Sequence, residues 1–273
     1  MSRFRCFLEL LVASSSVLVS TRVVIAADEL ARMEWKIDGV EREALVYLPE
    51  KAKTAETPIV FVFHGHGGSM KNAANKFAIH KLWPEAIAVY PQGLKTPGKL
   101  TDPEGKLPGW QRSAGDQADR DLKFFDAMLE RIKGEAKVDP RRIYSTGHSN
   151  GGGFTYLLWS VRGDRLAAVA PCAASALTYV GKLSPKPVFH LAGNEDKLVQ
   201  FAWQEQTIEM LRKLNQCGDG QTWDKEKWCT LYPSKTGNPV VACIHPGGHE
   251  LPDEVPAMIV RFFKDHAKPE SAR

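Results

Sequence analysis

Long apolar runs are missing from these 273 residues. No stretch of about 18 uncharged apolar positions occurs, so no segment reads as a spanning helix and no stable membrane insertion is expected. Lys/Arg clusters and stripes are missing as well, which removes nucleic acid from the expected partners. Within the first 27 residues Arg3, Arg5 and Arg22 stand against Glu9, and they account for half of the formal charge of +4. Internal repeats and low-complexity tracts are also lacking. With 43% apolar and 25% charged residues, the composition excludes disordered and collagen-like chains. Eight histidines are present, yet no pair has zinc-ligand spacing with a third ligand nearby, so no metal is expected.

What is present begins with a secretory pattern. A basic start (Arg3, Arg5) is followed by an apolar stretch over 6–19 and by small residues at Ala26 and Ala27. Residues 1–27 are therefore expected to be a signal peptide cleaved after Ala27, and 28–273 a single secreted domain. Cys172, Cys217, Cys229 and Cys243 would then meet an oxidising compartment, which permits bridges.

Strand and helix signals alternate along the rest of the chain. Residues 33–37 and 41–48, joined by Asp38-Gly39, read as a hairpin. The run at 59–63 is apolar without alternation, as expected of a strand covered on both faces. Shorter runs follow at 87–90, 143–145, 166–170, 188–192 and 240–244. Between them lie helical periods, such as Leu122, Phe125, Met128, Leu129, Ile132 and, near the C-terminus, Val255, Met258, Ile259, Phe262. The prediction is an α/β fold with a mostly parallel sheet of about eight strands and helices on both faces.

On that map, Gly147-His148-Ser149-Asn150-Gly151 lies on a strand-to-helix turn. A serine there is held clear of the backbone, and the residues two before and two after must be small. Glycine-rich turns also bind phosphate, but this one lacks the lysine of a P-loop. A serine hydroxyl needs a base, and His249 in the loop after the last strand is the best placed histidine. Asp196, at the end of the strand over 188–192, is the first choice of acid and Glu195 the second; the chain order is then serine, acid, histidine. Oxyanion donors are expected from the amide of Asn150 and from the loop His64-Gly65-His66-Gly67-Gly68, with His66 favoured and Gly67 the alternative.

Several segments, "FVFHGHGGS", "YPQG", "GWQ", "VDPRRIYSTGHSNGGG", "LAAVAP", "LAGNEDKLV" and "PGGHELP", carry a resemblance over about 43–264. There the chain is similar to the secreted esterase group of the α/β-hydrolases, which includes polyhydroxybutyrate depolymerases, feruloyl esterases and acetyl xylan esterases. The resemblance implies the α/β-hydrolase fold, a Ser149-His249-Asp196 triad, an ester substrate and no cofactor. It also suggests a Cys217–Cys229 bridge, worth about 2 to 4 kcal/mol if unstrained. The long polar loop after the fourth strand, with Trp110 and Trp203, is expected to line an open cleft. Such a cleft favours feruloyl or acetyl esters of plant polysaccharide over polyhydroxybutyrate. A serine peptidase and a non-catalytic binding protein on the same fold are the readings of a different kind.

Overall fold

The computed structural model describes residues 29–270, so the signal segment expected at 1–27 lies outside them. The chain enters as a hairpin, β1 (Ala31–Ile37) and β2 (Val40–Tyr47), paired in antiparallel register. Asp38 and Gly39 supply the two positive φ values, 49° and 85°, that a two-residue turn demands. Then comes β3 (Thr57–Phe63), every residue of which is buried. Two helices, α1 (Met70–Phe77) and α2 (Ile79–Leu82), lead into β4 (Ile87–Pro91). A long loop follows, closed by the two-residue strands β5 (Leu94–Lys95) and β6 (Pro108–Gly109). The remaining elements are α3 (Arg120–Glu135), β7 (Val138–His148), α4 (Asn150–Arg162), β8 (Ala168–Cys172), β9 (Val188–Gly193), α5 (Phe201–Leu214), β10 (Gln221–Thr222), β11 (Cys229–Tyr232), β12 (Val240–His245) and α6 (Val255–Lys264).

Strand order in the main sheet is β1-β2-β4-β3-β7-β8-β9-β12-β11-β10. The six strands from β4 to β12 run parallel, and the strands outside them on both sides are antiparallel. Eight of the ten strands are those predicted from the apolar runs. The two additional ones, β10 and β11, are short and form one edge. Along β3 the side chains alternate between two cores. Ile59, Phe61 and Phe63 join Phe125 of α3, Phe154 of α4 and Leu211 of α5, while Val60 and Val62 join Phe77 of α1 and Ile259 of α6. From β3 the chain first steps to β4 on one side and later to β7 on the other. The loops leaving β3 and β7 therefore diverge over a crevice at the carboxyl ends of the strands, the place where open α/β sheets bind ligands.

The bridge suggested between Cys217 and Cys229 is not formed, because the sheet separates the two residues. Cys217 packs against the core on the α3 and α4 side, and its backbone bridges to Ser234. Cys229 lies in the opposite core, directly across the β11–β12 ladder from Cys243. All four described cysteines are free.

Candidate active site

The crevice is built around the turn from β7 into α4. Ser149 sits there with φ 57° and ψ −119°, a conformation that costs a non-glycine residue about 1 to 3 kcal/mol. Its N–H donates to Cys172 O at 2.9 Å and its carbonyl accepts from Gly153 N at 2.9 Å, which holds it in place. The demand for small flanking residues has a steric origin. A Cβ on Gly147 would lie 2.6 Å from the backbone of Gly151, and one on Gly151 would lie 2.2 Å from Phe63 O.

His249 arrives from the loop after β12, which crosses the end of β9 at very close range. A Cβ on Gly193 would come within 2.0 Å of Gly248 O. The crossing is tied by Asn194 N–H to His245 O at 3.0 Å and Glu195 N–H to Gly247 O at 2.9 Å. It places His249 between the other two predicted residues: Ser149 Oγ is 2.7 Å from His249 Nε2, and His249 Nδ1 is 2.7 Å from Asp196 Oδ2. Asp196 is 4% exposed and accepts from four donors. Its Oδ1 takes the Leu198 and Val199 amides at 2.9 and 3.0 Å, and its Oδ2 takes Gln204 Nε2 at 3.0 Å besides the imidazole. With Nδ1–H directed at this carboxylate, Nε2 is left with its lone pair toward the serine hydroxyl. Glu195, the second choice of acid, is exposed.

The loop after β3 lies against the serine, so that a Cβ on Gly65 would be 3.5 Å from Ser149 Cβ. The Gly67 amide is committed to Pro108 O at 2.8 Å, which removes the alternative oxyanion donor. The amides of His66 and Asn150 have no acceptor among the described residues. His64 braces the loop as a neutral ring: Nδ1–H donates to Gly65 O at 2.7 Å and Nε2 accepts from Gly93 N–H at 2.9 Å. Burial pushes its pKa down to about 4, so it stays uncharged at neutral pH. The His66 ring packs beneath the loop after β5, with Nε2 3.2 Å from Asp102 Oδ2.

A cavity of about 400 Å³ opens beside Ser149 and Asn150, lined in part by Leu198, Val199 and Trp203. Trp203 is among the residues that line it. Trp110 is not. It is fully buried, stacked on Phe154 and edge-on to Phe63, with its Nε1–H donating to His64 O at 2.9 Å. The ring faces the core because the adjacent backbone is clamped to Asn150 through Trp110 N–H to Asn150 Oδ1 at 2.7 Å and Asn150 Nδ2 to Trp110 O at 3.1 Å. Gln204, whose Nε2 donates to Asp196 Oδ2, was missed by sequence reasoning. A lone glutamine on the first turns of a helix carries no pattern that singles it out.

No protein-family model matches the chain. Among curated proteins, a bifunctional acetylxylan esterase/xylanase of Neocallimastix patriciarum is 26% identical over 187 residues, 66% of this chain and 25% of that protein. A probable feruloyl esterase C of Aspergillus clavatus is 28% identical over 142 residues, 50% of this chain and 47% of that one. The chain therefore spans about a quarter and about half of the length of these relatives. Among solved structures, an acetyl xylan esterase from Aspergillus awamori superposes with a TM-score of 0.64 at 11% identity, covering 86% of this chain and 99% of that one. The chain has the α/β-hydrolase fold, and relatives in sequence and neighbours in structure carry esterase names.

Proposed function

We propose that the protein is a secreted serine carboxylic-ester hydrolase acting on feruloyl or acetyl esters of plant polysaccharide. The observation that carries the reading is the unbroken chain from Ser149 Oγ through His249 to Asp196, 2.7 Å at each step. Ser149 Oγ attacks the ester carbonyl as His249 Nε2 takes its proton, and Asp196 holds the imidazole and stabilises its cationic form. The amides of His66 and Asn150 receive the oxyanion as the carbonyl carbon becomes tetrahedral. His249 then returns the proton to the leaving alcohol, and a water activated by the same base releases the acyl group. The feruloyl and acetylxylan esterase names among the relatives support the substrate class. The basic start and the small residues ending at Ala27 support export.

A fluorophosphonate probe tests the nucleophile: the wild type should label at Ser149, and Ser149→Ala should not label while melting at an unchanged temperature. Labelling of the Ala variant at another serine would refute the assignment. Parallel assay on methyl ferulate, acetylated xylan and a polyhydroxybutyrate suspension tests the substrate. Turnover of the polyester alone would replace polysaccharide esters with that polymer.

A further inference from the structure

The cavity beside Ser149 carries charge of one sign. Its lining includes Lys99 and Arg112, and no aspartate or glutamate among the described residues lines it. Arg112 extends from a backbone that is pinned on every side. Gln111 N–H donates to Asp121 Oδ2 at 2.8 Å, Tyr179 Oη–H donates to Arg112 O, and Ser113 N–H donates to Asp116 Oδ2 at 2.9 Å. The Arg112 guanidinium itself makes no ion pair or hydrogen bond with a described residue. Arginines on neighbouring elements behave differently: Arg42 and Arg120 meet Asp121, and Arg162 meets Asp126.

The carboxylates nearest in sequence are already committed to the loop. Asp116 accepts from Ser113 N–H, and Asp119 accepts from Gly115 N–H at 2.7 Å and Gln111 Nε2 at 2.9 Å. Lys99 sits in a tight turn closed by reciprocal Gly98 and Asp102 backbone bonds of 2.8 Å. Asp102 holds that turn to the loop after β3 through His66, spends Oδ2 also on Leu107 N–H at 2.8 Å, and makes no ion pair with the lysine. Two solvent-exposed cations, neither in an ion pair with a described residue, thus border the cavity beside Ser149.

We infer that the cleft selects esters bearing a carboxylate, on the acyl or the alcohol portion, as in acyl esters of a uronate-containing polysaccharide. The inference rests on the ester-hydrolase reading and narrows its substrate class. Unpaired cations at the rim of a cleft raise the local concentration of anions and attract them to it, and added salt screens the effect.

The test compares acetyl release from 4-acetoxybenzoate and from its neutral counterpart 4-acetoxybenzamide, in the wild type and in the Lys99→Gln/Arg112→Gln double variant. The ratio of kcat/KM for the anion to that for the amide should fall about fivefold in the variant, with the change in KM for the anion. In about 0.5 M NaCl the wild-type ratio should fall toward that of the variant. An unchanged ratio, or equal loss on both esters, overturns the inference. If the wild type cleaves neither ester, the hydrolase reading fails separately. Charge selectivity is then read by titrating 4-hydroxybenzoate and 4-hydroxybenzamide into both proteins. Tighter binding of the carboxylate that disappears with the two cations upholds the inference, and equal binding of the two compounds overturns it.

Discussion

Asp196 uses both of its oxygens twice, and that arrangement decides what a substitution there does. In Asp196→Asn the Oδ1 bonds to the Leu198 and Val199 amides can survive, but an amide NH2 would face the imidazole Nδ1–H. The ring would then favour the other tautomer and present a proton to Ser149. Turnover of a p-nitrophenyl ester should drop by about ten-thousandfold with little change in melting temperature. A loss of similar size in Glu195→Gln would mean that the exposed neighbour shares the role. That Ser149, His249 and Asp196 come together was legible because each belongs to a local pattern that a strand end dictates. Trp110 was misread because the sequence shows a tryptophan on a catalytic-face loop but not the direction of its ring. The clamp that turns it inward, its backbone against the Asn150 side chain, joins residues 40 positions apart. The lysines of the loop after the fourth strand were expected at the cleft, whereas Arg112 escaped notice for a related reason: an unpaired cation is defined by partners it lacks, and those are known only when the chain is folded.

Among the elements, the parallel strands were legible because burial on both faces leaves an apolar run, as at β3. The sheet edge was not. In β11 only Cys229 is fully buried and the next three residues are half-buried, so no run or clean alternation marks it. That edge also reassigns the cysteines. Ile244 N–H bonds to Trp228 O at 2.8 Å, which makes the adjacent Cys229–Cys243 pair a non-hydrogen-bonded one, the geometry in which side chains approach most closely. Thiol–disulfide exchange with oxidised glutathione, releasing two glutathione molecules per bridge, should join Cys229 to Cys243. Cys217 should stay unbridged. Peptide mapping under non-reducing conditions reads the outcome, and a Cys217–Cys229 peptide would contradict the observed topology. The bridge should raise stability by about 2 to 3 kcal/mol, since it closes a short loop.

At the scale of the molecule, two cores share one sheet, and two buried neutral imidazoles lie against aromatic residues of one of them. His64 braces the loop after β3, and His190, fully buried in β9, lies 2.6 Å from Tyr156 Oη through Nδ1. Burial lowers their pKa values to about 4 and about 3, from an ordinary 6.5. Between those values the unfolded chain binds protons that the folded one refuses, so stability should be level above about pH 7 and fall as the pH drops through 6 toward 4. Urea unfolding at pH 5 should show uptake of about two protons from these groups. Equal stability at pH 7.5 and pH 5 would contradict the burial. Among the described residues, the ten-stranded sheet also has two unpaired margins. One ends in β10, two exposed residues long; the other is β1, whose outward side chains are Arg32, Glu34 and Lys36. A growing fibril needs a long, flat, uncharged margin on which a second copy can lay its own strand, and neither side offers one. Concentrated solutions should therefore scatter light as a single species of constant mass, and a mass that climbs with concentration would mean that copies add edge to edge.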